Sequence, residues 1–224
     1  MGAKTAAVPS ARERLLAAAN ELFYAEGVHT VGIDRVIERA GVAKASLYNT
    51  FGSKDELVRV YLEGRHAVVA ARITRYIERY EDPRERLLGV FEAQGELFAE
   101  QGYRGCAFVS ASAESPGEAV SRAADEYRGW VRGLLTGLAA DAGAPDPRSL
   151  GRQLHMIYDG ASLSARMDRD PSAAVTARAA AGALLDAALG GARGGAPDAA
   201  LGGTPGGGRG GTLARPAGPA GDKL

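Results

Sequence analysis

The chain has one cysteine, Cys106, in 224 residues. That excludes an internal disulfide framework and any cysteine-rich metal site. Net charge is also missing: 27 Lys and Arg balance 27 Asp and Glu, which argues against a protein that coats nucleic acid indiscriminately. No run approaches the roughly 18 apolar residues of a membrane span, and Met1 to Ser10 lacks the apolar core of a secretory signal. The expected location is the cytoplasm, with no membrane partner. The three histidines, His29, His66 and His155, are too scattered for a metal site or a triad, so neither a metal nor a cofactor is expected. With 46% hydrophobic and 24% charged residues, the chain has the balance of a globular protein. Its length admits a small domain and a larger one.

Strand-like alternation is not sustained anywhere. Helix starts, in contrast, are marked repeatedly by a Ser or Asp followed three residues later by Glu, the pattern of a capping box. Ser10/Glu13, Ser53/Glu56, Asp82/Glu85 and Ser115/Glu118 fit, the last two with a proline after the cap, where its missing N–H costs nothing. Asp146-Pro147 and Asp170-Pro171 repeat the cap-proline half. Apolar residues then recur at helical spacing, as in Leu15, Ala19, Leu22 and Phe23, or Leu57, Tyr61, Leu62, Val69, Ile73, Tyr76 and Ile77. The expected fold is all-α. Residues 191–224 hold 12 glycines and 4 prolines, too little apolar surface to offset ordering, and are expected to form a disordered tail. The Gly206–Gly211 run has neither the strand nor the helix of a phosphate loop.

Residues 30–51 carry the densest signal. Thr30 is a candidate N-cap for a helix with Ile33, Val36, Ile37 and Ala40 on one face. Gly41 follows where a helix ends left-handed, and Val42 can plug the corner. A second helix from Lys44 to about Thr50 would bury Leu47 and Phe51 and turn Lys44, Ser46, Asn49 and Thr50 outward. Two short helices across a three-residue turn make a helix-turn-helix. The start of the second helix, Lys44, Ala45 and Ser46, combines small side chains with donors and suits entry into a major groove, and Tyr48, Asn49 and Thr50 offer polar donors. Ser53 would cap the next helix, whose free N–H groups join Lys54 as an anion site for a phosphate. From Arg35 to Lys54, Arg35, Arg39, Lys44 and Lys54 face Glu38 alone. Periodicity by itself also fits a helical corner of any all-α protein, with Tyr48 a core aromatic and Lys54 an ordinary surface lysine.

The run from Ala40 to Leu57, with Phe23, Gly27 and Thr30 upstream, resembles the N-terminal signature of the TetR family of regulators over about residues 10–62. Arg104 to Val109 looks like a sequence seen in one branch of that family. The resemblance implies double-stranded operator DNA as partner, with Thr30, Lys44, Ala45, Ser46, Tyr48, Asn49, Thr50 and Lys54 at the DNA. Ala43 departs from a frequent serine cap, Ala45 from a frequent glycine and Thr50 from a frequent histidine. The domains implied are 1–60 for a three-helix DNA-binding domain, then 61–190 for a helical effector-binding and dimerisation domain.

One helix-turn-helix reads few base pairs, so a homodimer is expected. The helices near 147–168 and 171–189 carry small residues, Gly151, Gly160, Ala161, Ser164, Ala180, Ala183, Ala187 and Ala188, that permit close helix approach. In the resembled family the middle helices enclose a pocket for a small organic effector, whose binding releases a repressor from its operator. The residues for such a pocket are Tyr61, Phe91, Tyr103, Cys106, Phe108, Tyr127, Trp130, His155 and Tyr158. Alternatives remain: an enzyme using Cys106 or His155, an activator, or a regulator without a ligand. Beside Arg104 and Gly105, Cys106 is either a sensor thiol of lowered pKa or inert packing.

Overall fold

The computed structural model describes residues 9–115 and 117–191. Among these the elements are nine α-helices and no strand: α1 Ala11–Glu26, α2 Ile33–Ala40, α3 Lys44–Phe51, α4 Lys54–Ile77, α5 Pro83–Phe98, α6 Ala107–Glu114, α7 Glu118–Asp141, α8 Pro147–Asp168 and α9 Ala173–Gly191. The all-α expectation holds. The expected tail beyond residue 191 and the glycine run within it lie outside the described residues.

Four helix starts, those of α1, α4, α5 and α8, follow the capping chemistry. The Ser10 hydroxyl accepts from Glu13 N–H at 3.2 Å while the Glu13 carboxylate accepts from Ser10 N–H at 2.7 Å. Ser53, Asp82 and Asp146 each accept from the N–H three residues on, at 3.1, 3.0 and 2.9 Å. Three expected caps are corrected. Ser115 closes α6 instead, its N–H bonded to Ala111 O, and α7 starts from Gly117 without a side-chain cap. Gly117 N–H donates to Ser115 O at 2.8 Å, which leaves Ser115 outside the first turn of α7. Asp170 accepts from the N–H and the hydroxyl of Ser172 at 2.8 and 2.6 Å, a local turn that delays α9 to Ala173. Thr30 is exposed in the turn after α1, and Gly32 takes the cap position of α2 with no side-chain bond. Burial of Val31 in the core holds the chain extended past Thr30.

The first three helices wrap the N-terminal part of α4. Leu15, Ala19, Leu22 and Phe23 of α1 meet Val36 and Ala40 of α2, Leu47 and Phe51 of α3, and Leu57, Tyr61 and Leu62 of α4, all buried. Each large side chain in such a set contributes about 1.5–3 kcal/mol. The expected domain boundary at residue 60 falls inside α4, which runs unbroken from the reading head into the bundle. There α5 occupies the centre, packed against α4, α7, α8 and α9. Gly151 on α8 lies against α7 with its Cβ position 3.0 Å from Thr136 Cα, so no side chain fits at this crossing.

The final helix corrects another expectation. Residues 173–190 are long and apolar enough to cross a membrane by length and composition, because alanines accumulate there. The two charges in this window are tied to α5. Arg178 pairs with Glu85 at 2.7 Å and Glu92 at 2.8 Å, and Asp186 with Arg84 at 2.8 Å. Those pairs and the buried Ala174, Ala177, Ala181 and Leu185 seat one face of α9 on the helical bundle.

Candidate nucleic-acid interface

The corner between α2 and α3 is built by backbone hydrogen bonds. Gly41 is left-handed, with φ 62° and ψ 43°; its N–H donates to Glu38 O at 3.1 Å and Val42 N–H donates to Ile37 O at 3.3 Å. This pair of bonds satisfies the last carbonyls of α2 and requires the conformation glycine adopts without a Cβ penalty. Helix α3 then buries Leu47 and Phe51 and exposes Lys44, Ala45, Asn49 and Thr50, with Ser46 half-buried. Tyr48 is 44% exposed, which decides against a core role for its ring. Ala43 caps α3 with no side-chain bond.

Several of these groups are already engaged. The Lys44 ammonium binds Asp34 of α2 at 2.8 Å, and that bond holds its pKa above the ordinary lysine value. The Thr50 hydroxyl donates to Ser46 O at 2.6 Å, so it meets a phosphate only after leaving its own helix. Arg39 binds Glu21 at 2.8 Å and Arg35 binds Glu26. The excess of positive charge along residues 35–54 is therefore largely compensated once α1 and α2 pack. Among the described residues Lys54 has no ion-pair partner. It lies at the N-terminus of α4, and partial burial draws its pKa down, with Asp55 opposing.

Two cations escaped the sequence reading. Arg14 Nη1 donates to Gly41 O at 3.1 Å, and the Arg12 guanidinium lies 5.8 Å from the centre of the Phe51 ring. Both belong to the first turns of α1, far in sequence from the helices they join. Only the packing of α1 across the corner brings Arg14 to Gly41 and Arg12 to the end of α3.

The residues expected at an effector pocket fall in several places. Cys106, Phe108 and Tyr127 line a cavity of about 390 Å³ together with Val109, Ser112 and Arg128. Phe108 and Tyr127 stack with centroids 4.0 Å apart, and the Tyr127 and Tyr158 hydroxyls meet at 3.0 Å. Tyr61 and Tyr103 face a different cavity, beside the end of α1. Phe91 is fully buried in α5, Trp130 is half-buried beside His66, and His155 lies buried 3.7 Å from Asp159. Burial pushes the Cys106 thiol above its ordinary pKa, opposite to the shift of a reactive thiolate. Burial keeps His155 neutral more strongly than Asp159 charges it, with Arg128 and Arg132 acting in the same sense as burial. Gln94, which the sequence reading passed over, is buried with its amide donating to Tyr158 O at 3.0 Å.

This arrangement matches known regulators. Residues 15–61 fit the family described as bacterial regulatory proteins, tetR family. A TetR-family transcriptional regulator from Streptomyces coelicolor has 35% sequence identity and superposes with a TM-score of 0.75, over 80% of this chain and 95% of that one. The chain belongs to the TetR family of transcriptional regulators. Its α2–α3 corner is thus the DNA-binding element of a TetR-family protein. The transcriptional repressor NemR of Escherichia coli is 28% identical over 70% of this chain and 85% of that protein; its reduced form superposes with a TM-score of 0.69. The transcriptional activator FasR of Mycolicibacterium smegmatis is 36% identical over 95 residues. That match spans 42% of this chain and 43% of FasR.

Proposed function

We propose that the protein is a cytoplasmic homodimeric repressor whose α3 helices enter successive major grooves of an operator and which a small organic effector releases. The carrying observation is the outward face of α3, where Lys44, Ala45, Tyr48 and Asn49 stand exposed over buried Leu47 and Phe51. Lys44, Ala45, Ser46, Tyr48 and Asn49 are assigned to the groove. Lys54 and the first N–H groups of α4, with Arg12, Arg14 and, more weakly, Thr30 and Thr50, are assigned to phosphates.

Dimerisation is supported by exposed apolar seams. On α8, Met156, Leu163 and Met167 are 76%, 59% and 70% exposed, and with Gly160 they follow heptad spacing. On α9, Thr176, Ala180, Ala183 and Ala187 are exposed at the same spacing. Two such helices per subunit would bury these seams as a four-helix interface. The cavity beside Phe108 and Tyr127 has the size and lining of a small-ligand site. NemR is a repressor by name, whereas FasR favours the second reading, an activator.

The first test is binding to the DNA flanking the protein's own gene, which should give a specific, salt-dependent complex. Folded dimer that ignores every neighbouring intergenic fragment would sink the proposal. Tyr48→Ala and Lys54→Ala should each weaken the complex while the protein unfolds at the same temperature. A reporter with and without the gene then gives the sign of control.

A further inference from the structure

The second cavity, of about 400 Å³, opens between the end of α1, Tyr61 of α4, the segment before α6, α6 itself and the end of α8. Its floor is aromatic. Phe23 and Tyr61 meet edge to face with centroids 5.5 Å apart, and Tyr103 stands beside them. Its rim is cationic, with Arg104, Arg166 and Arg169.

The two carboxylates that line the same cavity offset this rim only in part, leaving Glu114 alone against three arginines. Glu26 is bound to Arg35 of α2. Glu114 accepts from His29 N–H at 3.3 Å and lies directly over Gly27, where a Cβ would collide with it. Asp168 and Asp170, the acids beside Arg169 in sequence, line a different cavity, and Asp170 is turned to Ser172. None of the three guanidiniums has a carboxylate partner among the described residues; Arg166 reaches only the Ser110 hydroxyl, at 3.3 Å.

The backbone is shaped to hold this arrangement. Gly105 has φ 92°, and a Cβ there would lie 2.7 Å from Arg166 Cδ, so the arginine stem packs directly on the chain. Arg169, with φ 57°, is the one non-glycine residue of positive φ among those described, a conformation that costs an L residue energy. Tyr24 closes the floor from the reading head. Its hydroxyl donates to Gly105 O at 3.1 Å and accepts from Arg104 N–H at 3.0 Å.

We propose that this cavity is a second ligand site, for a small organic anion with an aromatic-sized apolar body. The apolar body rests on the rings, and a carboxylate or phosphate monoester receives guanidinium N–H bonds, which suit planar two-point recognition of such groups. The volume fits a small ligand. Because part of the floor and one wall belong to α1 and its turn, an occupant touches the reading head directly. The site is separate from the cavity beside Cys106 and does not depend on ligand binding there.

Calorimetric titration of the full-length protein tests this with phenyl phosphate and benzoate as probes. Benzyl alcohol serves as the apolar half, and inorganic phosphate and acetate as the ionic halves of the two probes. One of the two organic anions should bind at least tenfold more tightly than either half. The double variant Arg166→Gln/Arg169→Gly, which leaves a glycine where φ is positive, should weaken it at least tenfold. Arg104→Gln, whose backbone alone holds Tyr24, should weaken it about threefold and serves if the double variant does not fold. Val109→Trp, which fills the mouth of the other cavity, should leave binding unchanged. The proposal is overturned if neither anion binds, if either half binds as well, if the arginine variants bind normally, or if Val109→Trp abolishes binding.

Discussion

Restoring a side-chain cap to the recognition helix should stabilise the protein. Ala43 already has the extended conformation of an N-cap, φ −72° and ψ 149°, with no side-chain bond to the helix. Serine at this position needs no backbone movement, and its hydroxyl can accept from the N–H of Ala45 or Ser46. A cap of this kind contributes about 1 kcal/mol, which for a chain of this size raises Tm by roughly 2–4 °C. The measurement is urea unfolding of Ala43→Ser at fixed protein concentration, since dimerisation would couple to stability. The midpoint should rise with an unchanged slope. Ala45→Ser is the control: inside the helix, serine lacks cap geometry and should destabilise by about 0.5 kcal/mol, following helix propensity. Equal effects from the two serines, or an Ala43→Ser protein no more stable than the parent, would refute the capping argument.

Asp34→Asn should leave stability almost unaltered, since the Lys44–Asp34 pair is exposed, but should release Lys44 for the groove. Affinity should rise more for the operator than for unrelated DNA, since base contacts carry the sequence information; an equal rise on both would show that Lys44 does not reach the bases. Cys106, with its thiol pKa raised by burial, should react with iodoacetamide at pH 7.5 far more slowly in the native protein than in urea. Comparable rates would mean that the thiol is open and ionised. The lowered pKa of His155 means that the folded state binds its proton less readily than the unfolded chain. Stability linked to this residue is complete above the ordinary value of 6.5 and is lost as pH falls through the folded value. His155→Gln should flatten the acid limb of a plot of stability against pH, and an identical limb would refute the assignment.

The reading head was legible because its determinants are local. Gly41 follows a four-residue apolar stripe, Leu47 and Phe51 stand four apart, and Ser53 precedes Glu56 by three, so each signal fits within one or two helical turns. Ala43 was visible as a missing cap for the same reason. What escaped depends on distant partners. The cations of residues 35–54 read as an open basic face, yet Glu21 and Glu26 on α1 face them once α1 and α2 pack. Arg12 and Arg14 looked like ordinary residues of a first turn. The aromatic residues of the bundle formed one list in sequence order, whereas the fold sends Phe108 and Tyr127 to one cavity, Tyr61 and Tyr103 to another, and Phe91 to the core. The apolar length of α9 escaped because its alanines count as small contact residues one by one and as an apolar run only when 18 positions are summed.

The internal pairing of Arg35, Arg39 and Lys44 also bears on how such a protein searches a chromosome. Each competing stretch of arbitrary DNA attracts a regulator through its phosphates alone, and these stretches outnumber an operator by about a million to one or more. With Arg35, Arg39 and Lys44 held by its own carboxylates, the head offers the arbitrary stretch fewer free cations. Fewer molecules then stay stranded on irrelevant sequence, and a small number of copies per cell can keep one operator occupied.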